Sequence, residues 1–427
     1  MSGTNCSRTP SEPGAVAEAL LAAAWCLPSA ALAGFLATQL GVWKIPPTTT
    51  MLLGSPAALL VGRPVFWGLA LSFLFRRMKL LPLIVCGVWL DQLLLGVAQV
   101  ESANDLGFWV CEAFAVATCL APAHLFVHWT RERQHLTARN LMHLLFHGAL
   151  FIVIYPMLLE QITGGNFRAA AERSSTLNKI ELQLLAIPCV LLLTAMQEFH
   201  ARGRGTPMPG DAPRHLVTSG VYAYVANPMQ IGKFGVLLGW SLFLRNPWIS
   251  GVAGFGLFYS LTVARLNEDR DLAQRFGFRW LEYRRHVRRW SPRWKPWTPN
   301  ALAADSATLY LDLACGPCGH LARWFAAQCP IGLRVLSLGL LPCPVPARMT
   351  YRSAEGGPEF QGMAALARAL EHVNLAWAFC GWMLRLPLIC WFAEIIADAV
   401  GPSRAEHCRS REHPAGHVVL DCVSAQK

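Results

Sequence analysis

The stretch His215-Leu-Val-Thr-Ser-Gly220-Val-Tyr222-Ala-Tyr224-Val-Ala-Asn227-Pro228-Met-Gln230-Ile-Gly232 decides how the chain reads. It is a polar loop rich in residues that turn and bond, and an apolar run follows it directly. The apolar run ends at the acidic pair Glu268-Asp269, after which Arg270 to Trp297 is basic and rich in tryptophan. Loop, apolar run, acidic pair and cationic tail form one unit, and the rest of the chain is read outward from it.

Upstream lie long apolar runs interrupted by arginine clusters. The chain has 427 residues, 54% apolar and only 15% charged, which is low for a soluble protein. Runs near the roughly 20 residues that a bilayer requires predict an α-helical multi-span membrane protein. Eight spans are expected: Ala17–Leu40, Met51–Phe75, Leu80–Val100, Leu106–Trp129, Leu141–Ile162, Ile180–Phe199, Ile231–Leu244 and Trp248–Ala264. Arg63-Pro64 interrupts the second, and an ionisable residue there must face the bundle or a wet cavity, or mark a broken element. The last two are short and separated by Asn246-Pro247, so they read as a hairpin that returns the chain to the side it left. That return sets the loop before the hairpin and the segment after it at one membrane surface.

The net charge of +11 resides at the ends of apolar runs, which suits anionic lipid headgroups and argues against nucleic acid as a partner. Arginine-rich connections at residues 76–79, 131–139 and 202–214 put both termini and the polar loop in the cytoplasm by the positive-inside rule. The connection carrying Arg168, Arg173 and Lys179 departs from it. No secretory signal is read at the N-terminus. Cysteines before residue 300 are scattered singly in apolar runs, where they act as small hydrophobes.

The organisation expected is an N-terminal transmembrane region at 1–199 and a core at 200–299. A small α/β domain follows at 305–400, with a disordered tail at 401–427. Leu272, Phe276, Trp280, Tyr283 and Val287, near helical spacing among arginines, predict a basic amphipathic helix over 270–290 on the membrane surface. Further on, Thr308–Ala314, Leu333–Leu338 and Ala347–Tyr351 read as strands. Gly319–Ala327 and Phe360–Glu371 read as helices, with a turn at Gly356-Gly357. Leu375–Ala399 is apolar but divided at Arg385-Pro387, which favours helices packing on that domain or on the bilayer.

Tyr222–Gly232 and Glu268–Trp290 resemble the integral-membrane methyltransferases that include isoprenylcysteine carboxyl methyltransferase and phospholipid N-methyltransferases. The family's first block is Gly-x-Tyr-x-x-x-Arg-His/Asn-Pro-x-Tyr-x-Gly. Its second, two spans later, is Glu-Glu-x-x-Leu-x-x-x-Phe-Gly-x-x-Tyr-x-x-Tyr. Here the second block reads Glu268-Asp269-Arg-Asp-Leu272-Ala-Gln-Arg-Phe276-Gly277-Phe-Arg-Trp280-Leu-Glu-Tyr283. Ala226 stands where the family has arginine, Gln230 where it has an aromatic residue, Asp269 where it has a second glutamate, and Asn227 where histidine is commoner. Loss of that arginine and aromatic residue would alter acceptor choice, weaken cofactor binding or mark an inactive descendant.

The resemblance implies S-adenosylmethionine as cofactor, held by Gly220, Tyr222, Tyr224, Asn227, Pro228, Gln230, Gly232, Glu268 and Asp269. Chemistry agrees. Carboxylates suit the donor's ammonium or ribose hydroxyls, glycines let backbone approach, and tyrosines stack or bond at an interface. Methyl transfer is an in-line displacement that depends on alignment. The acceptor is a lipophilic molecule reaching the site from the bilayer: a prenylcysteine carboxylate, a phospholipid amine or another lipid. Arg265, one turn before Glu268, is a candidate to orient a carboxylate. The plainer reading makes the tyrosines interfacial aromatics and Glu268 a partner of Arg265.

A second constellation, Cys315-Gly-Pro-Cys318, follows a strand and opens a helix, whose N-terminus favours thiolate at the first cysteine. Cys315 would attack a disulfide and Cys318 would resolve it. Residues 310–325 resemble the DCC family of predicted thiol–disulfide oxidoreductases, which implies a thioredoxin-like fold, redox activity and a disulfide-bearing protein partner. The alternatives are structural thiols or a zinc half-site with Cys329 and Cys343, although no second Cys-x-x-Cys exists and no metal is assigned. The leading expectation is a membrane methyltransferase joined to a dithiol domain. Its rivals are a membrane-anchored oxidoreductase and a non-catalytic membrane scaffold.

Overall fold

The computed structural model describes residues 14–400, apart from 103–104, 166, 174–175, 207–210, 212, 300–305, 314, 342–347 and 355–357. The expected tail at 401–427, the turn at Gly356-Gly357 and Cys343 lie outside the described residues.

Among the described residues, six helices are long and apolar enough to cross a membrane: α1 (Ala15–Gln39), α2 (Ala57–Leu74), α3 (Leu80–Val97), α4 (Leu106–Arg131), α5 (Leu136–Ile162) and α6 (Thr176–Gly203). The expected hairpin follows as α7 (Pro228–Leu244) and α8 (Pro247–Tyr259), with Asn246 capping α8 through its side chain. α7 has 17 residues, and the helix of α8 runs on through the π-type turns of Ser260–Ala264; among the described residues, length and apolarity alone give six spans, or seven with the bent pair described below. The count of eight includes this hairpin. On α3, Leu81, Val85, Trp89 and Val97 lie exposed along one helix, as lipid-facing residues would. The chain is a multi-pass helical membrane protein.

The chain divides into two compact units. The first comprises Met1–Ala186, Phe199–His215 and Lys233–Asn267, and the second Ile187–Glu198, Leu216–Gly232 and Glu268–Lys427.

In the first unit α1 is the axis. Its small residues Ala22, Ala30 and Ala33 are buried with Trp67, Cys119, Phe126 and Phe146. Gly68 of α2 lies directly against Ala23, an approach a side chain would block. The awkward Arg63 resolves here. It faces the bundle, 1% exposed, and grips Asp91 with two hydrogen bonds of 2.8 and 2.6 Å, with Glu112 at 3.6 Å. The helix is not broken here: α2 continues through Pro64 in wider π-type turns that absorb the missing donor.

In the second unit the α/β segment forms one four-stranded sheet. β1 (Ala307–Leu311) pairs parallel with β2 (Leu333–Ser337), and α9 (Gly316–Gln328) connects them. β3 (Thr350–Arg352) pairs antiparallel with the other edge of β1, and β4 (Phe360–Gln361) antiparallel with β3, giving the order β2-β1-β3-β4. Helix α10 (Gly362–Leu370) follows, and Leu309, Leu311, Phe325, Tyr351 and Ala365 close the core. Phe360-Gln361, read from sequence as the start of a helix, is the fourth strand. It pairs with the preceding strand β3, and Gly362, at φ +59°, opens α10 directly after it. The apolar end of the segment is broken into α11 (Leu375–Leu384) and α12 (Pro387–Val400), bent by 89° at Arg385-Leu386.

Candidate functional site

Every residue assigned to the cofactor from sequence falls in the second unit. The loop from Leu216 to Gly232 is laced to the basic tail by four backbone hydrogen bonds. The amides of Ala226 and Asn227 donate to the carbonyls of Arg288 (3.0 Å) and Arg289 (3.2 Å). In return Arg293 donates to the Tyr224 carbonyl (3.0 Å), and Trp297 to that of Ala223 (2.9 Å). The loop and the segment after the hairpin do face each other, as the return of the chain requires.

The basic segment differs from its expected form. It is two helices, Arg265–Phe276 and Phe278–His286, broken at Gly277, whose φ of +53° suits glycine alone. The residues expected on a membrane-surface face pack inward, while Phe278 and Leu281 stay exposed. Trp280, Tyr283, Val287 and Trp297 are buried, with Leu216, Ala226, Leu272 and Phe276 packed against them. The Tyr283 hydroxyl donates to the Tyr222 carbonyl at 2.8 Å. The segment thus closes on the loop, and the spacing that looked amphipathic is the spacing of an internal core.

Arg289 organises the acidic pair. It lies 7% exposed beneath Glu268 and Asp269 and pairs with both, 3.4 Å from Glu268 and closer to Asp269. Its Nε is buried without a hydrogen-bond partner among the described residues. Burial raises the Glu268 carboxyl above its ordinary range, while Arg289 pulls it down and Asp269 pushes it up. Both carboxylates remain about two-fifths exposed, so they present negative surface while Arg289 fixes them from below. Glu268 pairs with Arg289, not with Arg265, which is exposed at the start of the same helix and belongs to the other unit.

The loop residues take distinct positions. Gly220 has φ +59°, and a Cβ there would meet the Glu198 side chain at 2.7–2.8 Å. Tyr222 is 6% exposed, and burial pushes its hydroxyl well up. The Tyr224 hydroxyl donates to the Glu371 carbonyl at 2.9 Å, and its ring meets Trp382 edge-on at 5.6 Å. Both tyrosines are built into the loop's frame. Asn227 Nδ2 lies 3.3 Å from Gln230 Oε1, and the Asn227 carbonyl accepts from Ile231 as Pro228 opens α7. Gly232 is a packing glycine: a Cβ would meet Leu192 at 2.8 Å and the Pro188 carbonyl at 2.9 Å.

Sequence reading missed Glu198. It is fully buried at the end of an apolar span, accepts a hydrogen bond from Ser219 at 3.2 Å, and pairs with Arg368 and, at 2.6 Å, with Arg385. Glu371 completes the square, 3.3 Å from Arg368 and 2.7 Å from Arg385. One acid and both bases lie on or beside the α/β segment, and the other acid supports the loop. An ionisable residue at the end of an apolar run was the available signal, but its partners lie far along the chain.

The dithiol lies at the expected strand-to-helix junction. Cys315 is the N-cap of α9 and Cys318 sits in its first turn; both are free and half-buried. Burial, and then the neighbouring Cys315, push the Cys318 thiol up to about 12.

Comparison with known proteins finds likeness over part of the same stretch. Residues 182–279 match the family described as phospholipid methyltransferase. That range holds the end of α6, the loop, the hairpin and the acidic pair. Among individual proteins, the chain is 41% identical over 78 residues to protein-S-isoprenylcysteine O-methyltransferase of Homo sapiens. That alignment covers 17% of this chain and 25% of the relative, so the chain spans about a quarter of the length of the relative it matches. No solved structure matches the chain.

Proposed function

We propose that the protein is an integral membrane methyltransferase that uses S-adenosylmethionine and acts on a lipophilic acceptor. The observation that carries this reading is the lacing of loop 222–227 to 288–297, which brings the motif loop and the acidic pair into one unit. The match over residues 182–279 supports it. The residues fit the cofactor. Two partly exposed carboxylates suit a cationic donor, and Arg289 holds them without cancelling both charges. When bound, the cofactor supplies an electrophilic methyl group on a sulfonium.

The chain's own residues bind and align. Glu268 and Asp269 accept from the ammonium or ribose hydroxyls. Asn227 and Gln230 present amides, and Gly220 and Pro228 set the loop's path. Tyr222, Tyr224 and Gly232 hold the frame. Alignment of donor and acceptor supplies the rate. Arg265 orients the acceptor where that acceptor is a carboxylate. A prenylcysteine carboxylate, a phospholipid amine and other lipids remain the acceptor classes. Both termini and the site face the cytoplasm by the arginine distribution.

Calorimetric titration of S-adenosylmethionine into the purified full-length protein in detergent tests this reading. Glu268→Ala and Asn227→Ala should each weaken binding at least tenfold, a loss of about 1.4 kcal/mol or more. Unchanged affinity in both variants removes the pocket. No binding by the unsubstituted protein favours a scaffold.

A specific observation favours a second activity. The order β2-β1-β3-β4, parallel then antiparallel, with Cys-x-x-Cys opening the first helix, supports a thioredoxin-like dithiol domain. The Cys315 thiolate would attack a disulfide of a protein partner, giving a mixed disulfide. The Cys318 thiolate would then displace the partner's second thiol and leave an intramolecular disulfide. Insulin reduction driven by dithiothreitol should be lost in Cys315→Ser; activity surviving that change removes the nucleophile assignment.

A further inference from the structure

A cavity of about 690 Å³ opens in the first unit where α2 ends, α3 begins and α4 ends. Its polar wall is Arg76, Arg77, Lys79, His128, Arg131 and Glu132, and its apolar wall includes Phe75, Leu80 and Leu83. The polar wall is built. Glu18 of α1, fully buried, pairs with Arg76 at 2.8 Å and Arg131 at 2.6 Å, and Arg131 also donates to the Arg76 carbonyl at 2.8 Å. These bonds pin the turn between α2 and α3 to α1 and α4. Arg77 and Lys79 are left exposed on the pinned turn. Four cations (Arg76, Arg77, Lys79, Arg131) against two carboxylates (Glu18, Glu132) leave a net charge of +2 at the cavity.

Depth identifies the ligand. Phe73 and Leu74, immediately before the turn, are exposed apolar residues on a span, as is Leu81 after it. They place the turn just outside the hydrocarbon, where lipid phosphates lie. A cavity with cations at phosphate depth and an apolar wall below matches a lipid in both halves. Soluble phosphate would use only the first. We propose that this cavity binds the phosphate headgroup of an anionic phospholipid, with an acyl chain along Phe75, Leu80 and Leu83. Basic pockets between membrane helices recognise such headgroups by charge. The site lies in the first unit and is independent of the methyltransferase reading.

The full-length protein in neutral detergent is titrated with phosphatidylglycerol or phosphatidylcholine, and retained lipid is read by native mass spectrometry. Phosphatidylglycerol should be retained preferentially. Arg77→Gln with Lys79→Gln, both exposed and outside the Glu18 pairs, should weaken it roughly 25-fold, about fivefold per charge. Equal retention of phosphatidylcholine, or full retention by the double variant, overturns the proposal. So does displacement by millimolar glycerol 3-phosphate, which would mark a soluble-phosphate site. Arg279→Gln with Arg285→Gln, exposed cations of the second unit, should change nothing. An equal loss there would show that bulk charge, not the cavity, holds the lipid.

Discussion

Arg289 shows how one side chain can hold two neighbouring acids at once. A carboxyl held above its usual range keeps its proton to higher pH. The negative charge of Glu268 therefore arrives only as pH rises through that raised value. Affinity for a cationic cofactor should rise with pH across the same window, in a titration of binding against pH. In Arg289→Gln the strongest lowering influence is gone, so the midpoint should move to higher pH; an unmoved midpoint would mean that Glu268 does not govern binding. Gly220 is the second such residue. Alanine there adopts a left-handed backbone and meets Glu198, so Gly220→Ala should cost about 1–3 kcal/mol in detergent thermal melts. Arg289 was not legible in the sequence because it is one arginine in a run of similar ones. The acid pair was legible because its position after the hairpin is unusual.

At the scale of elements, apolar periodicity was a good guide to existence and a poor guide to partners. The six long spans follow from apolar length alone, and the strand–Cys-x-x-Cys–helix junction follows from local pattern. The basic segment did not, because periodicity reports which face is apolar and not what covers it. Its face is covered by Leu216, Ala226 and Trp297 of this same unit, and Gly277 turns the chain to allow that. Gly277→Ala strains this turn and tends to continue the helix, carrying Trp280 and Tyr283 off the loop. We expect a loss of about 1–3 kcal/mol together with weaker cofactor binding. A stability loss with unchanged affinity would separate the turn from the site. β4 escaped notice for a related reason: two residues carry no period, and only pairing with β3 defines them.

Across the whole molecule, the α/β segment and the motif loop belong to one compact unit although blocks of sequence suggest separate domains. The square of Glu198, Arg368, Glu371 and Arg385 is buried, and the Tyr224 hydroxyl reaches Glu371 beside it. Removing one member leaves uncompensated buried charge, typically worth about 3–5 kcal/mol. Arg368→Gln should therefore lower the melting temperature and weaken cofactor binding, although Arg368 lies on a helix of the dithiol segment. A variant that melts early but binds as well as the unsubstituted chain would make the square structural only.

The square also sets an order of events in time. Glu198 and Arg368 are 170 residues apart, and the entropy of closing so long a segment must be met before their contact gives anything back. Chains emerge from the ribosome N-terminus first. The spans up to α6 are thus synthesised while Glu198 still lacks both of its guanidinium partners. The loop gains its full ion-pair support only after residue 385 has emerged, so a nascent chain already inserted in the membrane still lacks it. Completion of the loop's ion-pair support therefore marks completion of the polypeptide through its α/β segment.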